Sequence, residues 1–507
     1  MNNRVKRRDF IKTSCAALIG TAALSQTGCV KMADKNAGLP EMLTHFGVTR
    51  DDLNKVISVA LEKGGDYADL YFEHTLDNGV ALQDGEVNRA NSDIQYGVGI
   101  RVVSGDQTVY AYVENVTIND MLKAARTASR IASGSAGTPP VKVDEPIFKN
   151  RYPVVDSWEE VNVKAKMPYL QKLNNRIFEL DPRVTKVNAR IYDTTSYILY
   201  YNSEGRLCHD YRPMANVAGI CIMQDGDRIE NNNSSRAGRR DFSFLTDALI
   251  EEIAQEAVKN TAILFEAVKP RGGEMPVVMA AGSSGILLHE AIGHSFEADF
   301  NRKNISIFSD KLNQKICDEN INVVDDGTVD GDRGSINFDD EGVESQKTYI
   351  VKNGVLNSYL HDRISARHYG VRPTGNGRRE SFKYMPIPRM RVTYMENGSY
   401  SEADIIAGVK QGVYVDRFSN GQVNIGAGDF TFFVKNGYLI ENGKLTQPIR
   451  DVNIIGNGPK ALADITMVGD NLKIETGAWT CGKDGQGMPV GMGLPSVLVK
   501  QLTVGGE

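Results

Sequence analysis

Two histidines and a glutamate set the chemistry to be explained. In the stretch GSSGILLHEAIGHSFEADF, Gly282 to Phe300, His289 and Glu290 are followed by His294. Zinc-peptidase helices usually carry H-E-x-x-H, with the histidines four apart on one face and the glutamate as general base. Here they are five apart. On a regular helix a five-residue step turns a side chain by roughly 500°, about 140° from its start, which points the rings to different sides. One turn closed by i→i+5 hydrogen bonds brings them nearly into line. Gly293, just before the second histidine, is a place where the helix can widen or end. The expectation is that it does so at 292–294, so that both imidazoles meet one ion. The competing reading is a solvated histidine and a buried one that share a helix.

Two imidazoles do not complete a catalytic zinc site, which takes three protein ligands and leaves one position open. His361 and His368 have no spacing that singles them out. Cys481 lies in ETGAWTCGKDGQGMPVGMGLP, a glycine-rich run suited to a loop that passes close to a site. A thiolate is a strong ligand for a borderline-soft ion, and an inert thiol is the alternative. Glu297 and Asp299 are candidates for orienting a ligand imidazole, or are surface acids. Arg378 and Arg379, in TGNGRRES, are candidates for substrate contact, against a structural turn. DGDRGSINFDDE sets Asp330, Asp332 and Glu341 at calcium-loop spacing, but Gly334 and Ser335 stand where a ligand and a glycine are needed, so calcium is not expected.

The elements that must position these groups are legible in outline. A chain of 507 residues points to two or three domains. Hydrophobic residues make up 41% and charged residues 24%, the balance of a soluble globular protein. A net charge of −6 lacks the basic excess of a nucleic-acid footprint, so no nucleic-acid partner is expected. No run in the body of the chain is long and apolar enough to span a bilayer. Apolar periodicity predicts helices over 50–64, 118–132, 168–180 and 245–268. Strands are predicted at YADLYFEHT (67–75), with Ala68, Leu70 and Phe72 on one face, at 80–88, in a hairpin over 97–113 turning at Gly105–Asp106, and at 184–192 and 196–202. SGSAGTPP (133–140) reads as a linker, and KPRGG (269–273) as the domain boundary. Beyond it Asn-Gly pairs recur at 353, 397, 420, 436, 442 and 457 between β-rich runs, which predicts antiparallel hairpins. Val277–Met279 reads as the strand leading into the histidine helix, with Ser283 or Ser284 as its cap.

The first thirty residues are a separate object. Arg7-Arg8, Phe10 and Lys12 precede a short apolar run, an arrangement resembling a bacterial twin-arginine export signal. Gly28-Cys29 resembles a lipoprotein cleavage site, although Gln26 stands where an aliphatic residue is usual, so Cys29 is a candidate lipid anchor. The predicted location is across the inner membrane, periplasmic or anchored. Export permits disulfides; Cys208 and Cys221 are candidates for a cross-strand pair or for buried free thiols.

Several segments together resemble the TldD branch of the TldD/PmbA family over roughly residues 45 to 506. They are QYGVGIRVVSGDQTVYAYV, HEAIGHSFEADF, VVDDGT, GDRGSINFDDEG, PTGNGRRESFKYMPIPRM, FFVKNGYLIENGKLTQPI and CGKDGQGMPVGMGLPSVLVKQLTVGG. The resemblance implies an α+β protein: a mixed α/β domain (38–268) after the leader (1–29), then a mostly antiparallel, barrel-like β domain (272–507) that carries the HExxxH helix. It implies that His289, His294 and Cys481 hold one Zn2+ per active subunit and that Glu290 is the catalytic glutamate. The implied function is a metallopeptidase hydrolysing unfolded or extended peptides, as a homodimer or paired with a PmbA-like subunit. The family's familiar members are cytoplasmic, which the leader here contradicts. Two alternatives stand beside this: a non-catalytic, modulator-type metal- or peptide-binding partner, and a cysteine hydrolase built on Cys481.

Overall fold

The computed structural model describes residues 38–131 and 142–506; the segment read as an export leader, Cys29 and the 133–140 linker lie outside them. The N-terminal half is built on one six-stranded antiparallel sheet of order β3-β2-β1-β4-β5-β6. The strands are β1 (Tyr67–Gln83), β2 (Glu86–Ser104), β3 (Gln107–Val113), β4 (Val184–Asn202), β5 (Leu207–Asp225) and β6 (Arg228–Gly238). Strands β1, β2 and β4 are much longer than the short strands predicted, and β5 and β6 lie where none was predicted. Residues 80–88 are the end of β1, the Asp84–Gly85 turn and the start of β2, while 184–202 is one unbroken strand. The Gly105–Asp106 turn falls where the sequence places it. Cys208 and Cys221 lie on the same strand, β5, as buried free thiols, so they cannot pair across neighbouring strands.

The two faces of this sheet have different tasks. Ala68, Leu70, Phe72, Val80 and Leu82 of β1 share one face by the two-residue repeat, and the helices cover it in two groups. Helices α1 (Leu39–Phe46), α2 (Arg50–Ala60) and α3 (Ile118–Ala128) pack at one end. Helices α4 (Val163–Leu180) and α5 (Asp247–Ala262) pack at the other. Thr49 starts α2 through a reciprocal capping box with Asp52, and Asn162 and Thr246 cap α4 and α5. The opposite face carries Tyr71, Ile198 and Tyr200 and packs against Phe338 and Phe382 of the C-terminal half.

Polar residues on that second face enter a dense ion-pair network. Arg101 reaches both Asp69 and, 2.7 Å away, Glu341; Arg212 pairs with Asp340 at 2.8 Å. Glu341 is therefore spent on Arg101, and exposed Asp330 pairs with Lys149, so the acidic loop 330–341 does not converge on a single point.

The C-terminal half closes a barrel. Strand β7 (Gly273–Met279) pairs in parallel with Gln411–Val423 and antiparallel with Val497–Gly505. The latter pairs with Val452–Asn457, that with Asp429–Glu441, and Asp429–Glu441 returns to Gln411–Val423, so five strands form a ring. Val277, Met279, Val413, Val415, Phe432, Ile454 and Val499 share one core with Leu287, Leu288, Ala291 and Ile292 of the histidine helix. A mixed sheet beside it includes Val392–Met395 and Gly491–Leu494. Of the Asn-Gly pairs named above, Asn353–Gly354 and Asn442–Gly443 adopt the paired positive φ of a tight turn. Asn420–Gly421 and Asn436–Gly437 instead lie inside long strands, where the pairing register shifts.

Removing one partner of a buried ion pair strands the other charge. Arg101→Ala should therefore destabilise the protein by about 3–5 kcal/mol, measured as a lower denaturant midpoint with an unchanged slope.

Candidate metal centre

Strand β7 delivers the chain to the site. After Met279 it turns at Gly282, whose φ is +95°, and enters a short helical run from Ser283. Neither Ser283 nor Ser284 caps that helix; the Ser284 hydroxyl donates instead to the carbonyl of Val415 at 3.3 Å, which ties the helix start to the barrel. Ile286–Leu288 make one α turn, and His289–Gly293 then widen into a π turn. The N–H of His294 donates to the carbonyl of His289, the i→i+5 bond that the five-residue spacing requires. Gly293 permits this because a β-carbon there would lie 2.2 Å from the Met390 sulfur.

Both imidazoles are buried, and their ring centroids are 5.2 Å apart. Cys481 arrives on a hairpin of Thr480–Lys483 and Gln486–Pro489, which reverses at Asp484–Gly485 with φ of +50° and +74°. Its sulfur lies 3.2 Å from His294 Nε2. One donor atom from each of His289, His294 and Cys481 lies within 4.8 Å of the others. Neither ring nitrogen of His289 has a hydrogen-bond partner although both are buried. Leaving such groups unsatisfied is costly, and a cation shared with a sulfur and a second imidazole would satisfy one of them, since each residue offers a single donor atom. The residues present fit a metal of zinc type. Glu290 is partly exposed beside them, with a carboxylate oxygen 3.9 Å from His294 Nε2.

The other predicted residues divide. Glu297 is fully buried and places Oε2 2.9 Å from His294 Nδ1, so it can set that ring's orientation. Asp299 touches neither histidine; its carboxylate lies 2.7 Å from Lys483 Nζ. Arg378 and Arg379 are buried and brace the interior, and both also line a cleft with Thr480 and Met488. Arg378 donates to the carbonyls of Met390 and Pro489, and Arg379 to the carbonyl of Asp340 and the hydroxyl of Tyr110. His368 is exposed and His361 is buried, and neither joins the cluster.

Two positioning groups escaped the sequence reading. Arg389 donates to the carbonyls of Cys481 at 2.6 Å and Gln486 at 3.1 Å, bracing the hairpin. Lys483 is buried against Glu297 and Asp299. The Asp-Gly pair after Lys483 is a hairpin signal, and reading it as such would have put Lys483 on the same side of a strand as Cys481.

Electrostatics single out one thiol. Burial alone would raise the pKa of Cys481, but His289 and His294 override it and bring it down to about 4. Burial pushes Cys208 and Cys317 up to about 12 and Cys221 to about 11. His294 is held well above its ordinary value because Glu297 and the Cys481 sulfur outweigh burial. Burial would raise Glu297, yet Lys483 and His294 pull it down to about 2. The two shifts run in opposite directions, each group favouring the charged form of the other.

A barrel-held helix that brings two histidines and a glutamate up to a distant cysteine is a site able to hold one metal ion, and the protein's relatives are metallopeptidases. Three family models match in succession: PmbA/TldA metallopeptidase domain 1 over residues 68–132, the central domain over 156–265 and the C-terminal domain over 272–506. The metalloprotease TldD homolog of Haemophilus influenzae is 36% identical over 474 residues, 92% of this chain and 98% of that protein. The zinc metalloprotease TldD homolog of Saccharolobus solfataricus is 28% identical over 459 residues, 89% and 99% respectively. The crystal structure of TldE from Thermococcus kodakarensis shares the fold with a TM-score of 0.69 at 20% identity, covering 90% of this chain and 100% of that one. The chain belongs to the TldD/PmbA family.

Two outcomes test this geometry. Gly293→Ala should overpack the helix against Met390 at a cost of about 1–3 kcal/mol and lower the metal bound per chain, read by elemental analysis of folded protein. In metal-free protein the thiolate absorbance should correspond to one sulfur at pH 7. Because the folded pKa is depressed, that signal should vanish as pH falls through about 4 and be missing from Cys481→Ser.

Proposed function

We propose that this metallopeptidase is zinc-dependent and hydrolyses unfolded or extended peptide segments, with His289, His294 and Cys481 holding the ion and Glu290 moving the proton. The observation that carries the reading is the meeting of three donors around two unpartnered, buried histidine nitrogens, with a partly exposed carboxylate at their edge. Two nitrogens and a thiolate favour zinc among common divalent ions, and one relative's name specifies zinc. When bound, the ion supplies Lewis acidity that readies water for attack near neutral pH and polarises the scissile carbonyl. Glu290 takes a proton from the attacking water and returns it to the leaving amine. Glu297 keeps the His294 ring turned towards the sulfur.

The surroundings suit an extended substrate. A cleft of about 460 Å³ lies between the edge strand β6 and the barrel, where Asn231 and Ser235 face Ser283 and Trp479. Ser283 precedes the histidine helix and Trp479 stands two residues before Cys481, although His289, Glu290, His294 and Cys481 do not themselves line the cleft. Backbone pairing in such a cleft binds peptide with little choice of sequence. The leader motif supports export by the twin-arginine route, with or without a lipid on Cys29, and the family supports a homodimer or a PmbA-like partner.

One contact favours a second reading. Cys481 and His294 at 3.2 Å have the separation of a thiol–imidazole nucleophile pair. Metal analysis beside peptide cleavage separates the possibilities. Glu290→Gln should keep its metal while turnover falls by about 10²–10⁴, and a chelator should abolish cleavage in the wild type. Activity that survives chelation means a cysteine hydrolase. Full function in Glu290→Gln means a modulator-type binding protein.

A further inference from the structure

Resting on the metal-centre reading, we infer that Lys483 is a positioning residue that locks the cysteine arm to the histidine arm. The two arms lie 187 residues apart in sequence at their closest ligands, Cys481 and His294. Lys483 follows Cys481 by two positions on the same strand, so both side chains leave the same face. Its ammonium is buried, 2.7 Å from Asp299 Oδ1, 3.1 Å from Glu297 Oε2 and 3.0 Å from the carbonyl of Pro388, with the Phe300 ring 4.2 Å away.

The geometry makes one oxygen do two things. Glu297 Oε2 faces both the His294 ring, at 2.9 Å, and Lys483, at 3.1 Å. The oxygen that orients the second histidine is therefore itself held by the strand bearing the thiolate. Sliding or rotating that strand would move Cys481 away from His294 and Lys483 away from Glu297 together. A buried lysine is an expensive way to hold a strand. An apolar side chain could fill the same space but could not read the position of Glu297. Removing the ammonium leaves Glu297 and Asp299 as buried carboxylates without their cation.

The test is a double-variant cycle on the full chain with Co2+ as probe, reading affinity, the thiolate-to-cobalt charge-transfer band and circular dichroism. Lys483→Met should weaken Co2+ binding by about 10- to 100-fold and shift the band in protein with a native circular dichroism spectrum. Glu297→Gln should cost about as much, and the double variant little more than either single one. If Lys483→Met fails to fold while the double variant folds, the coupling of the two charges is seen in folding itself. Wild-type affinity and spectrum in Lys483→Met overturn the inference, as do penalties that multiply in the double variant or failure of both to fold. A wild-type chain that takes up no Co2+ sinks the metal-centre reading instead.

Discussion

A helix that offers two ligands five residues apart must abandon its regular pitch between them. The bond from the His294 N–H to the His289 carbonyl is where this chain does so. A widened turn has weaker backbone geometry than an α turn, so the surroundings must hold it. Here Leu287, Leu288, Ala291 and Ile292 anchor the apolar side in the barrel core, while Gly293 lets Met390 approach. The barrel is thus the clamp that makes an irregular helix its lowest-energy form, as well as its scaffold.

The second requirement is charge. A sulfur with a depressed pKa, the Glu297 carboxylate and an imidazole brought together away from water need counter-charges placed in advance. The C-terminal half supplies them locally through Lys483 and Arg389. The same economy appears at larger scale where the sheet meets the C-terminal half. Arg101, Arg212 and Arg379 are buried there but meet Asp69, Asp340 and Glu341. Buried guanidinium groups are tolerable when their forked donors are satisfied this way. Arg378 and Arg379, candidates for substrate contact from their sequence, take part in this internal bracing as well as lining a cleft.

How much could be read in advance varied with the range of the interaction. Helices α2, α3 and α5 announce themselves by local periodicity and caps, and the Gly105–Asp106 turn by local chemistry. The Asn-Gly pairs were read as six turns, but a tight reversal also needs two strands with nothing left to pair. Around Asn420 and Asn436 the strands continue, and the pairs sit at register shifts instead. Strand lengths were underestimated for a related reason. In β1, Leu76, Asp77 and Asn78 are all half-buried and Asn78–Gly79 is locally a turn pair, so no alternation carries the strand from 75 to 80.

The sequence by itself determined the local facts of the centre: which side chains carry nitrogen, sulfur and carboxylate, the five-residue stride, the glycine that precedes His294 and the glutamate three residues beyond it. These follow from covalent order and short-range backbone geometry. Only the tertiary structure decided that the sulfur arrives at His294, that Lys483 rather than a histidine partners Asp299, and that the paired arginines face inward. Those outcomes depend on strands closing into a ring and on a sheet burying its second face. No window of neighbouring residues records either event.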